Sequence, residues 1–372
     1  MRYDTIIVGG GVIGCSIAYR LAKRGQKVLV LEKDRIGSKA SRAAAGMLGA
    51  QAELEEDGPL FQLARKSREL FLPLADEIKE DTGIDIELVN KGMYKVARSE
   101  EEVEEYTRVM DFQKKAGADV EWLTGENLRV LEPMLSESVL GAMYLEKDGQ
   151  VSAPQLTEGL WKAAVAHGVE VKEFADVQSF LLGRESVDGV VTSEGKYLSE
   201  NVVVAAGAWS GKLLEQAKLS IETYPVKGEC FSVISPRPLL TATIFSHGCY
   251  LVPKKGGRLV VGATVHPRTF NQQITVGGIS SLMEKAEKLL PAIKKAEWEM
   301  AWTGIRPQTE DGLPYLGEHP NCKGLFVAAG HYRNGILLSP ITGIVMADLI
   351  ERKDLNINLG PFRLNRRNPT LV

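Results

Sequence analysis

Gly9, Gly11 and Gly14 fall at the spacing G-x-G-x-x-G, and Glu32 follows 18 residues after the last of them. A bound pyrophosphate asks for this pattern. The first glycine permits a tight turn, the second lets backbone approach the phosphates, and the third lets the next helix pack close to a sheet. A carboxylate about 20 residues further on accepts hydrogen bonds from a ribose. The flanking elements agree. Thr5-Ile6-Ile7-Val8 is a continuous apolar run, as expected of a parallel strand buried on both faces. Val12 to Arg24 reads as a helix closed by Gly25, and Lys27 to Leu31 as a second strand delivering Glu32. Strand, glycines, helix, strand and acid in register point to a dinucleotide. The alternative is a glycine-rich turn in an ordinary α/β unit.

The run from Ser38 to Ala50 favours a flavin dinucleotide over a nicotinamide one. It is rich in alanine and holds Gly46 and Gly49, so it offers little side chain for a core. Such a segment suits backbone pressed against a large flat ligand. Ser41 is placed to reach a phosphate or ribitol oxygen. An alanine-rich helix chosen for propensity is the other reading.

These residues need a scaffold. A chain of 372 residues exceeds one typical domain and implies two. Charged residues at 25% and hydrophobic ones at 44% describe a globular protein. A net charge of -3 gives no hint of nucleic acid or an anionic membrane as partner. Strand one starts almost at Met1, which leaves no room for a signal peptide. The most apolar stretch, Gly335 to Ile350, is short, holds Pro340 and Asp348, and reads as a buried helix. Four scattered cysteines fit a reducing cytoplasm without disulfides, and five histidines show no metal spacing.

Along the chain, Leu60 to Thr82 reads as one amphipathic helix, Ile84 to Ala97 as short strands, and Ser99 to Gly117 as a charged, solvated helix. Val151 to His167 reads as a helix and Val169 to Val171 as a strand. Asn201 to Ser210 reads as a buried strand ending in small residues. Thr223 to Thr264, with a turn at Lys255-Gly256-Gly257, reads as an antiparallel sheet. Gly324 to Gly330 is a third buried strand opening into the last helix. The expected fold is α/β: a discontinuous, Rossmann-like dinucleotide domain from 1–82, 151–215 and 306–372, and an antiparallel-sheet substrate domain from 83–150 and 216–305.

With these blocks in place the chain resembles the D-amino acid oxidase and sarcosine oxidase group of flavoenzymes, and within it the glycine oxidase branch linked to thiamine synthesis. The resemblance covers nearly the whole chain. Beyond the glycine turn it rests on Ala43 to Ala50, Tyr224 to Cys230, Gly248 to Pro253, Gly304-Ile305-Arg306-Pro307 with Asp311 to Pro314, and Ala329 to Ile336. It implies a D-amino acid oxidase-like fold and noncovalent FAD, because Cys322 falls beyond the position where sarcosine oxidases link their flavin. The implied cofactor shell is Gly9, Gly11, Val12, Ile13, Gly14, Glu32, Lys33, Ala40, Ser41, Ala45, Gly46, Met47, Leu48, Val177, Ala206, Gly207, Trp209, Gly330, His331, Tyr332, Arg333, Asn334, Gly335, Ile336 and Leu337.

A substrate carboxylate needs a cation. Arg306 is the first choice, since its planar fork binds carboxylate bidentately. Tyr250 is expected to donate to the same group, with Arg333 and Met47 near the substrate. A structural ion pair for either arginine, or a satisfied core tyrosine, remains open. No side-chain base is assigned, because hydride transfer from a neutral amine requires none. Backbone N–H groups where the last helix begins are expected to face the flavin. Gly248 and Val265 stand where one better-known member of the branch carries histidine and methionine, from which a wider pocket is expected.

The implied activity is oxidation of glycine, sarcosine, N-ethylglycine or small D-amino acids by O2, in a cytoplasmic homotetramer without nucleic-acid or membrane partners. A sarcosine or D-amino acid oxidase or dehydrogenase on the same fold is the nearest rival. An oxidase module of a tRNA-modifying protein and a non-catalytic flavin sensor are more distant ones.

Overall fold

The computed structural model describes residues 2–366. Its first sheet has eight strands. The parallel core runs in the order Glu170–Lys172, Val28–Leu31, Arg2–Val8, Gly195–Val204, Leu325–Ala329, with Tyr315–Glu318 antiparallel at the edge. Register sets Ile6 opposite Leu29 on one side and Val202 on the other. Strand residues alternate between two cores. Ile7, Val30, Val203 and Phe326 face the helices Val12–Ala22, Ala153–Ala166 and Gly335–Ile350. Ile6, Leu29, Val202 and Val327 face the hairpin Val177–Leu182/Val187–Thr192 and residues near Leu214. The helix Tyr332–Ile350 is the one among the described residues long and apolar enough to cross a membrane, and 72% of its most apolar stretch is buried inside the protein.

The second sheet has nine strands. Thr223–Ile234 pairs along its length with Glu297–Thr309 and, on its other side, with Arg258–Gly262 and His266–Pro267. Cys249–Pro253 and Thr243–Ser246 continue the sheet. A parallel pairing then joins Thr243–Ser246 to Met93–Ala97, followed by Gly141–Leu145 and Glu121–Thr124. The turn at Lys255-Gly256-Gly257 joins two of these strands, with Gly256 and Gly257 at φ +74°.

Three expectations need correction. Leu60 to Thr82 is not one helix but two, Pro59–Glu69 and Phe71–Thr82. Pro73 has no N–H for the Glu69 carbonyl and its ring crowds that turn, so the chain breaks at Leu70. The strand Glu297–Thr309 runs unbroken through the boundary drawn at 305/306, which puts Arg306 in the second sheet. Within Ile84 to Ala97 only Met93–Ala97 forms a strand, with a single bridge at Val89. Near the C-terminus, Arg366 pairs with part-buried Asp311 at 2.6 Å and lies 3.7 Å from the Tyr315 ring centroid.

Candidate active site

The glycine turn behaves as its spacing requires. Gly9 sits at φ +110°, where a β-carbon would also fall inside 3.0 Å of the Ala205 carbonyl. A β-carbon at Gly14 would collide with the Gly9 carbonyl, so the helix Val12–Ala22 packs hard against the turn. Gly11 meets nothing closer than the Ser41 hydroxyl, 3.3 Å from a β-carbon placed there, which leaves a cradle of bare backbone. Ser41 caps the helix by accepting from the Val12 N–H at 2.9 Å, and its own proton remains to donate. Buried Glu32 accepts from the N–H groups of Gly10 (2.7 Å) and Asp34 (2.9 Å), which fixes the carboxylate at the tip of its strand.

One cavity of about 760 Å³ is lined from both sheets. The first sheet contributes Gly9, Gly11, Val12, Ile13, Glu32, Lys33, Val177, Ala206, Gly207 and Trp209, with Lys33 Nζ 3.9 Å from the Trp209 ring centroid. Ala40, Ser41, Ala45, Gly46 and Met47 come from the small-residue run. Gly330 to Arg333, Gly335 and Ile336 come from the start of the last helix. The volume and the cradle fit a dinucleotide with a flavin. Gly14, Leu48, Asn334 and Leu337 do not line the wall. Gly14 packs on the turn, and Leu48 and Leu337 point into the helix-side core.

The second sheet supplies the other wall. Cys230, Gly262 and Tyr250 form one row across three strands. Because Gly262 has no side chain, the Tyr250 ring lies across it and its hydroxyl meets Cys230 Sγ at 3.5 Å. Burial lifts the Tyr250 hydroxyl well above its ordinary pKa, so it stays a protonated donor. Burial also raises the Cys230 thiol. Arg306 lies over Gly228 on the paired strand, where a β-carbon would fall inside 3.0 Å of the guanidinium. Arg306 Nη1 donates to the Thr264 carbonyl at 3.2 Å, and among the described residues no carboxylate pairs with it. The strand carrying Arg306 is tied to the small-residue run by Trp302 Nε1 donating to the Ala43 carbonyl at 2.9 Å.

Arg333 lines the same cavity, but its Nε donates to Glu53 at 2.6 Å. His331 is buried and joined to Thr342 Oγ1 at 3.1 Å, and burial lowers its pKa to about 3, so the ring is neutral. Gly248 and Val265 are absent from the cavity wall. Gly248 turns the hairpin before Cys249 at φ +71°, and Val265 is half exposed, so neither sets the pocket's width. The sequence reading did not assign Gly228, Gly262, Cys230 or Glu53. Gly228 and Cys230 stand two residues apart in the Tyr224 to Cys230 block, but the role of each glycine depends on a side chain from another strand.

The family profile described as FAD dependent oxidoreductase (DAO) matches residues 4–349. A glycine oxidase of Geobacillus kaustophilus is 51% identical over 368 residues, 98% of this chain and 97% of that protein. The crystal structure of glycine oxidase from Geobacillus kaustophilus superposes with a TM-score of 0.96, covering 99% of both chains. A bifunctional protein ThiO/ThiG of a Nostoc species is 34% identical over 370 residues, which span 98% of this chain and 55% of that relative.

Proposed function

The chain belongs to the DAO family of FAD-dependent oxidoreductases, and from that premise we propose that it oxidises glycine and related small amines, among them sarcosine, N-ethylglycine and small D-amino acids. The observation that carries this reading is Arg306, a cation without a carboxylate partner among the described residues, beside the protonated Tyr250 hydroxyl in the wall of the flavin-sized cavity. A bound FAD would supply the acceptor for a hydride from the carbon next to the amine nitrogen and the route of those electrons to O2.

The chain's own residues bind and orient. Arg306 holds the substrate carboxylate by charge-assisted hydrogen bonds and Tyr250 donates to it. Gly228 and Gly262 leave room for these two side chains. Met47 and the Tyr250 ring wall the site and keep it dry. His331 neither takes nor gives a proton, since it is neutral and bound to Thr342. The helix Gly335–Ile350 has no side-chain cap, so the N–H groups of its first turn support negative charge in the cavity.

Glycine, O2 and water then yield glyoxylate, ammonia and hydrogen peroxide, by way of an imine that a thiazole-forming reaction of thiamine synthesis consumes. A cytoplasmic location and a homotetramer belong to the same reading. Exposed Val130, Leu131 and Met134, close together in sequence, support an interface between copies. The division into a flavin domain and a substrate domain follows the two sheets. Purified holoprotein given glycine in air should form glyoxylate and hydrogen peroxide in equal amounts. Glyoxylate formed only with an added quinone, and without peroxide, would make it a dehydrogenase.

A further inference from the structure

The cavity holds two arginines in different electrical states. Arg306 is unpaired among the described residues, whereas Arg333 is neutralised by Glu53 at 2.6 Å. Glu53 is itself part of the cavity wall, with its side chain only 8% exposed. The turn that presents it is clamped from below. Fully buried Asp148 accepts from the N–H groups of Gln51 (3.0 Å) and Ala52 (2.9 Å) and pairs with Arg68. Arg68 also donates to the Gln51 side chain at 2.9 Å, and the Glu53 N–H closes on the Gly49 carbonyl at 3.1 Å. Glu53 is therefore held at the cavity, not carried there by a loose loop.

We propose that Glu53 is a specificity-determining residue: by neutralising Arg333 it restricts the cavity to substrates with a single carboxylate. This rests on the reading of Arg306 as the carboxylate anchor. A second carboxylate on the substrate would meet a pair of zero net charge. It would shed its hydration without gaining a cation. Replacing Glu53 with glutamine leaves Arg333 charged, because a guanidinium does not deprotonate in proteins, and opens it to a second anion.

The test is equilibrium binding of acetate and malonate to the holoprotein, followed by perturbation of the visible flavin spectrum. The wild-type protein and Glu53→Asp should favour acetate. Glu53→Gln should move the acetate-to-malonate ratio of Kd values by about tenfold or more towards malonate, the scale of one close charge pair. The ratio of kcat/KM for N-carboxymethylglycine over glycine should rise with it. Arg333→Gln removes the cation and leaves the Glu53 charge, so it must move the ratio the other way, whether or not Glu53→Gln retains flavin. An unchanged ratio in Glu53→Gln, or an equal shift in Glu53→Asp, overturns the proposal. Arg306→Ala reports on the anchor separately. Undiminished acetate binding there would sink the anchor reading, whereas weakened acetate binding with an unmoved Glu53→Gln ratio would sink the Glu53 inference alone.

Discussion

At the scale of single residues the site depends as much on two missing side chains as on those present. Arg306 occupies the space over Gly228, and Tyr250 the space over Gly262. Gly228→Ala should therefore act like a loss of the anchor without touching it. Arg306→Ala is expected to lower kcat/KM for glycine by about thirtyfold or more, the cost of removing one partner of a buried charge-assisted contact. Gly228→Ala should reproduce much of that loss, chiefly through KM, in a protein that folds and carries flavin. Steady-state kinetics of both variants provide the check, and a Gly228→Ala variant with normal KM would refute the crowding argument. The glycine turn was legible in the sequence from its spacing; Arg306 was singled out by its side-chain chemistry and Tyr250 and Met47 by the resemblance, and all three line the cavity with that turn. The Arg333–Glu53 pair was not, since its partners stand 280 residues apart and nothing local relates them.

At the scale of elements, the last helix is the most instructive. It is buried over most of its length and contains Pro340, which has no N–H to give the Ile336 carbonyl. Ser339 Oγ donates to that carbonyl at 2.9 Å. One residue along, Ser67 Oγ donates to the Leu337 carbonyl at 2.6 Å and accepts from the Ile341 N–H at 3.4 Å. Ser67→Ala should cost about 1–3 kcal/mol in urea unfolding, because it strips a hydrogen bond from buried backbone groups. A loss below the error of that measurement would show that the helix carries its proline unaided.

His331, at the entrance to the same helix, makes stability depend on pH. Its pKa falls from 6.5 unfolded to about 3 folded. Between those values the unfolded chain binds a proton that the folded protein refuses. Stability must therefore decline as pH falls through that window. His331→Gln should flatten the decline between pH 6.5 and 5, measured as the difference from the wild-type protein; parallel curves would contradict the burial argument. Helix starts and buried parallel strands were readable from caps and apolar runs. The hairpin Val177–Leu182/Val187–Thr192 was not, because its half-exposed residues follow no clean alternation.

At the scale of the molecule, two sheets drawn from interleaved segments meet around one cavity, the first supplying the glycine-turn cradle and the second the proposed substrate anchors. The discontinuous order was legible, because three buried parallel strands stood far apart in the sequence. The long strand Glu297–Thr309 was not, as Gly304 and Pro307 interrupt the alternation that Glu297 to Met300 begin. The central claim is that glycine binds in this cavity and reduces its flavin. The measurement that tests it most directly is the visible spectrum of the anaerobic holoprotein before and after glycine is added. The account predicts that the flavin band bleaches and returns when air is admitted, with peroxide formed. A flavin band that stays unchanged under saturating glycine would contradict it.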